Sequence, residues 1–110
     1  MNDKQAEYVL TVLKEGSFTA AAKRLYISQP SLSQMVKAAE NRLGAPIFDR
    51  TTDPITLTPA GKLYVEAALQ VRGITENLEK QVKELAEEER GAPHIGISIQ
   101  RAIELVPYLY

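Results

Sequence analysis

With 110 residues, 45% apolar and 25% charged, the chain has the make-up of one ordinary soluble domain with room for an appendage. It has no cysteine and a single histidine, His94, which excludes disulfide scaffolds, thiolate zinc sites and cysteine nucleophiles; no run approaches the roughly 18 apolar residues of a membrane span. The net charge of −1 hides an uneven distribution: residues 1–50 hold seven basic against five acidic side chains, and residues 58–90 hold five against seven.

The N-terminus, "MNDKQAEYVL", has neither a basic opening nor a long apolar stretch. It is not a secretory signal, and a cytoplasmic location is expected. Asn2 or Asp3 is placed to cap a first helix running through about Glu15, with Ala6, Val9, Val12 and Leu13 at helical spacing and Gly16 as its stop. Ser17 or Thr19 opens a second helix, "TAAAKRL", whose alanines permit close packing by a neighbour. Tyr26 and Ile27 belong to a tight turn, and Ser28 is a strong N-cap for a third helix. Pro30 suits the first turn of that helix, where backbone N–H groups have no intrahelical partner to lose.

The third helix, 28–43, has two faces. Leu32, Met35, Val36, Ala39 and Leu43 form an apolar stripe, while Gln29, Pro30, Ser33, Gln34, Lys37 and Asn41 lie opposite. Gly44 ends it. "APIFDRTTDPITLT" follows, rich in β-branched residues with an Asp-Pro turn at 53–54, and reads as a small two-stranded hairpin. Helix, helix, tight turn, helix, hairpin is the outline of a winged helix-turn-helix, within a mainly α fold. In that outline the third helix enters the DNA major groove tip first. A glutamine there can bond bidentately to an adenine edge, and an apolar ring such as Pro30 can lie against a thymine methyl. Ser33, Gln34 and Lys37 lie along the flanks, where phosphates run.

Thr58 caps and Pro59 opens a long fourth helix over about 58–90. At 1.5 Å per residue such a helix spans roughly 45 Å, too long to bury against a domain this small. Leu63, Ala67, Val71, Ile74, Leu78, Val82 and Leu85 make one stripe flanked by charges. Residues 60–70 can fold back on the first domain; beyond them the stripe calls for a partner helix.

Residues 16–50, "GSFTAAAKRLYISQPSLSQMVKAAENRLGAPIFDR", closely resemble the DNA-binding region of LysR-type transcriptional regulators. Gly16-Ser17-Phe18, Ala21-Ala22, Leu25, Ser28-Gln29-Pro30, Leu32-Ser33, Glu40, Leu43-Gly44, Pro46, Phe48 and Arg50 match the family pattern, and "LTPAG" at 57–61 matches its next segment. The resemblance implies bacterial or archaeal gene regulation by a homodimer on a dyad-symmetric operator of double-stranded DNA, joined by antiparallel linker helices. It implies that Gln29, Pro30 and Ser31 approach bases. Ser33, Gln34 and Lys37 then lie near backbone or flanking bases, Arg50 anchors the wing, and Thr19 and Thr52 join the DNA-binding set. Gln34 stands where the family commonly has Arg, which implies a neutral bond in place of a charge-assisted one. Asp53 stands where a basic residue is frequent, which argues against deep minor-groove insertion by the wing. Tyr26 occupies a turn position where helix-turn-helix proteins favour glycine.

The tail "APHIGISIQRAIELVPYLY" alternates like a strand over His94–Ile99 and can start a helix over Gln100–Val106. By resemblance it is the opening strand and helix of an effector-binding domain, with Ser98 and Gln100 near an inducer site that only a full-length parent would complete. The expected organisation is therefore a winged helix-turn-helix at 1–57, a linker and dimerisation helix at 58–90, and a truncated effector-domain start at 91–110. An enzyme would need a nucleophile, base and orienting group in one pocket, yet the single histidine lies in this tail. Sequence-specific DNA binding without enzyme activity, metal or cofactor is the expected function. The alternative is a dimerisation or adaptor module that has lost DNA binding.

Overall fold

The computed structural model describes residues 1–91, with side chains through Glu89; the strand and helix expected within 92–110 lie outside the described residues. Among the described residues the elements run α1 (Asp3–Glu15), α2 (Phe18–Leu25), α3 (Gln29–Leu43), β1 (Phe48–Asp49), β2 (Thr56–Leu57) and α4 (Pro59–Gly91). Local chemistry accounts for each boundary. Asn2 caps α1 by accepting from the Gln5 N–H at 3.0 Å, and Gly16 ends it in the left-handed conformation at φ 77°. Of the two candidate openers of α2, Ser17 is the cap, accepting from the Ala20 N–H at 3.1 Å. Thr19 is thereby left to face outward. Ser28 caps α3, with Pro30 in its first turn, and Gly44 closes it at φ 84°.

The turn between α2 and α3 is built on Tyr26, a side-chain-bearing residue at φ 57° and ψ 41°. A non-glycine residue there costs about 1 kcal/mol. The Tyr26 N–H bonds back to Lys23 O and the Ile27 N–H to Ala22 O, which closes the turn despite the strain. The ring itself, 94% exposed, needs no room inside.

A compact unit spans Met1–Val71. Its core joins Val9 and Val12 of α1, Phe18, Ala21 and Ala22 of α2, and Leu32, Val36 and Ala39 of α3 to Ile47, Phe48 of β1, and Tyr64 and Val65 of α4. Fully burying one such aliphatic side chain stabilises the fold by about 2 kcal/mol. The alanines of α2 let α1 and α3 close on it. Leu43, expected to extend the buried stripe of α3, is instead 43% exposed at the end of its helix. The hairpin pairs Phe48 with Leu57 and Asp49 with Thr56, antiparallel.

The first turns of α4 bury Tyr64, Val65 and Ala68. These residues lie about 100° around the helix from the Leu63, Ala67, Val71 stripe read in the sequence, so α4 has two apolar faces near its start. In the second unit, residues 72–84 of α4 are exposed and Leu85 and Ala86 half-buried. No described helix is long and apolar enough to cross a membrane.

Candidate nucleic-acid interface

The tip of α3 is held by short bonds and left open on top. The Ser28 hydroxyl accepts from the Ser31 N–H at 3.2 Å and donates to Ser31 Oγ at 2.7 Å. Ser31 keeps its own hydroxyl proton for an outside acceptor. Gln29, Pro30 and Ser31 are all exposed. The Thr19 hydroxyl of α2 donates to Gln29 Oε1 at 3.1 Å, so these two residues, ten apart in sequence, form one polar unit.

Farther along α3, Ser33, Gln34, Lys37 and Asn41 line one open recess with Asp49, Arg50 and Thr51 of the wing. The wing keeps this position through contacts at both of its ends. On the near side the half-buried Glu40 carboxylate accepts from the Ile47 N–H at 2.7 Å, and Thr58 donates to Pro46 O at 2.6 Å. Thr58 also caps α4 by accepting from the Gly61 N–H at 2.9 Å. Gly61 lies so close to Ile47 that a Cβ there would sit 2.0 Å from the Ile47 carbonyl oxygen. On the far side the Ile55 N–H bonds to Gly16 O at 3.0 Å.

Arg50 pairs with neither the adjacent Asp49 nor Glu40 of α3. Its guanidinium lies 4.3 Å from the centroid of Phe18, which in turn meets Phe48 edge to face at 5.9 Å. A cation over an aromatic face gains about 0.5–1 kcal/mol at an exposed site, and the stack directs a permanent positive charge at the edge of the recess. The Asp49 carboxylate is turned onto Thr51, accepting from its hydroxyl and its N–H; those bonds hold its carboxyl below the usual range. Thr52 hydrogen-bonds Thr56 across the hairpin at 2.9 Å and lies outside the recess, in the bracing of the wing.

The nine residues expected to meet DNA thus fall into three groups. Gln29, Pro30, Ser31 and Thr19 form the tip, Ser33, Gln34, Lys37 and Arg50 border the recess, and Thr52 stays in the wing. Phe18, Glu40 and Gly61 stood in the family pattern, but sequence reasoning missed the supporting layer they form. Phe18 acts through Arg50, Gly61 through Ile47, and Glu40 through Ile47 across the end of α3, contacts that no helical or strand spacing reveals. The expected dimerisation residues are mostly open to solvent within one chain. Leu63 is 69%, Ile74 70%, Leu78 57% and Val82 55% exposed, Val71 less so, and Ala67 and Leu85 are half-buried.

The model of the bacterial regulatory helix-turn-helix proteins of the lysR family matches residues 4–62. A probable cat1 operon transcriptional activator of Acinetobacter lwoffii is 33% identical over 99% of this chain and 36% of its own length. The HTH-type transcriptional regulator BudR of Klebsiella aerogenes is 36% identical over 89% of this chain and 68% of its own length. Among solved structures, the BenM DNA-binding domain in complex with catB site 1 DNA superposes with a TM-score of 0.72 at 30% identity, covering 79% of this chain and 94% of that one. The chain spans about a third of the length of several curated relatives, 36% and 34% in two of them. The family model covers the same α1-to-α4 segment that assembles the tip, recess and wing, and with these relatives it shows that the chain belongs to the LysR family of bacterial regulatory helix-turn-helix proteins.

Proposed function

We propose that this chain is the sequence-specific DNA-binding part of a LysR-type transcriptional regulator, with α3 reading the major groove and the wing gripping the flanking backbone. The observation that carries the proposal is the exposed tip of α3 set beside the recess. Gln29, Pro30 and Ser31 have no role in the core, yet they stand at the end of a helix whose other face buries Leu32, Val36 and Ala39. Helix N-terminal N–H groups favour phosphate, and glutamine fits an adenine edge. Lys37 on α3 and Arg50 on the wing, both lining the recess, supply cations for backbone phosphates. The BenM domain, of similar fold, was solved on DNA, which supports the same use here.

The reading includes a homodimer joined through Leu63, Ala67, Val71, Ile74, Leu78, Val82 and Leu85 of α4, which would set two α3 tips on a dyad-symmetric operator. It is the reading of a regulator and not of an enzyme, working on cytoplasmic DNA, with an inducer acting only through a longer parent protein. The test is fluorescence anisotropy of the purified chain on DNA upstream of its own gene across a salt series, with random DNA as competitor. Affinity is expected to fall steeply with salt, Lys37→Ala to weaken all DNA alike, and Gln29→Ala to erase the preference for the site. Absence of binding to any DNA at low salt would overturn the reading.

A further inference from the structure

The hydrogen bond between Thr19 and Gln29 does more than hold two exposed side chains together. A glutamine amide offers an oxygen with two acceptor positions and a nitrogen with two donors. The Thr19 hydroxyl fills one acceptor position of Gln29 Oε1, at 3.1 Å. With the amide oxygen toward α2, as the structure has it, this contact restrains rotation about the last side-chain torsion of Gln29. One oxygen acceptor position and the whole –NH2 group are left facing outward. The adenine edge in the major groove presents an acceptor at N7 and a donor at N6, so it needs one donor and one acceptor from the protein in a set order. The guanine edge presents acceptors at both N7 and O6 and would oppose the fixed Gln29 oxygen. An amide free to turn about its last torsion is more tolerant, because it can swing –NH2 toward guanine.

We infer that Thr19 is a positioning residue that restrains the amide presented by Gln29, and so makes the α3 tip select adenine over guanine. The inference rests on the DNA-reading function proposed above. It gives Thr19 a role through Gln29 in place of a direct contact with DNA. Two features of the fold make the placement possible. Ser17, not Thr19, caps α2, which frees the Thr19 hydroxyl. Ser28 caps α3, which leaves Gln29 as the first helical residue, beside the start of α2.

The experiment begins with selection from a random duplex library by the wild-type chain, which defines the preferred site. Gln29→Ala then identifies the base pair whose preference collapses, and adenine is expected there. Thr19→Val removes the hydroxyl at nearly constant shape; Thr19→Ser keeps it. Thr19→Val is expected to lower adenine-over-guanine discrimination at that one position by about two- to tenfold, the cost of ordering one long side chain on binding. Its affinity for random DNA and its salt dependence stay as in wild type, and Thr19→Ser restores discrimination. In the Gln29→Ala background, Thr19→Val has no further effect on discrimination. In the free protein, the Gln29 side-chain amide resonances move in Thr19→Val and not in Thr19→Ser.

Additive losses in the double-mutant cycle would overturn the inference. So would a Thr19→Val variant that binds all DNA more weakly with a shallower salt dependence, since that marks a direct phosphate contact. A wild-type chain that selects no site would sink the DNA-reading function and this inference with it. Selection by wild type combined with an additive cycle would sink the inference alone.

Discussion

Helices α3 and α4 carry similar apolar stripes in the sequence and meet opposite fates in the fold. In α3 the stripe is sealed at Leu32 and Val36, both fully buried, and opens only at Leu43 on the helix end, while Gln34 and Lys37 opposite stay exposed. In α4 the stripe from Leu63 to Val82 stays open, and a different face, Tyr64, Val65 and Ala68, enters the core. An apolar stripe therefore says that a helix needs a cover, without saying whether the same chain supplies it. The core explains α3, and a second copy is the proposed explanation for α4.

Truncation separates the two cases. Leu32→Ala should destabilise the fold by about 3 kcal/mol, since it leaves a cavity where no solvent enters. That loss, read from urea midpoints, should be the same at every protein concentration. Leu78→Ala should leave a dilute sample almost unchanged and weaken self-association at least about tenfold, given roughly 1.5–3 kcal/mol for burying a leucine. Sedimentation equilibrium measures the second effect. A Leu78→Ala loss that persists unchanged on dilution would break the comparison, because the cover would then lie within one chain.

The two glycines inside α4 sharpen it further. Gly61→Ala drives a Cβ against the Ile47 carbonyl at 2.0 Å, a backbone atom that cannot step aside. Overpacking of this kind costs about 2–3 kcal/mol, and the wing, tied to α4 through Thr58 and Ile47, should lose its place beside α3. DNA affinity should drop along with thermal stability. A Cβ at Gly73 meets nothing within 4 Å. Gly73→Ala should therefore gain about 1 kcal/mol of helix stability. If that gain comes with weaker self-association, the partner helix passes directly over Gly73. The same substitution in one helix thus has opposite signs, decided by what lies outside.

Much of the architecture is legible because its causes are local. Asn2, Ser28 and Thr58 cap with their own side chains, Gly16 and Gly44 end helices with their own backbones, and the polar face of α3 is visible as spacing. The order helix, helix, tight turn, helix, hairpin supplied the winged outline, and the resemblance to the LysR pattern covered the same stretch. What escaped reading depends on residues brought together from afar. The contacts of Arg50 with Phe18 and of Glu40 with Ile47, and the close approach of Gly61 to Ile47, exist only once the wing has docked. Neither Asp49 nor Glu40 meets Arg50: Asp49 turns onto Thr51 and Glu40 onto the Ile47 N–H. At Glu40 the carboxylate satisfies a part-buried backbone N–H in place of a nearby cation. Tyr26 shows the converse: its strained turn is tolerated because the flanking helices fix it and its ring costs nothing outside.

Tyr64 gives the smallest effect and tests the buried face of α4 from within. Its side chain is 8% exposed, and its hydroxyl has no hydrogen-bond partner among the described residues. Burial pushes the phenol above its ordinary value of 10.0, with the nearby Arg42 charge opposing the rise. The fold thus binds the phenolic proton more tightly than the unfolded chain does. The resulting contribution to stability is whole below pH 10 and is lost as pH rises through the elevated value. Tyr64→Phe removes the unsatisfied hydroxyl while keeping the ring, so it should stabilise the chain by about 1 kcal/mol near neutral pH. It should also flatten the decline in stability above pH 10 that wild type shows in urea titrations. A Phe variant that is instead less stable by a similar amount would mean that the hydroxyl has a partner in solution. If that deficit grew with protein concentration, the partner would belong to the second copy, and the buried face of α4 would be continuous with its open one.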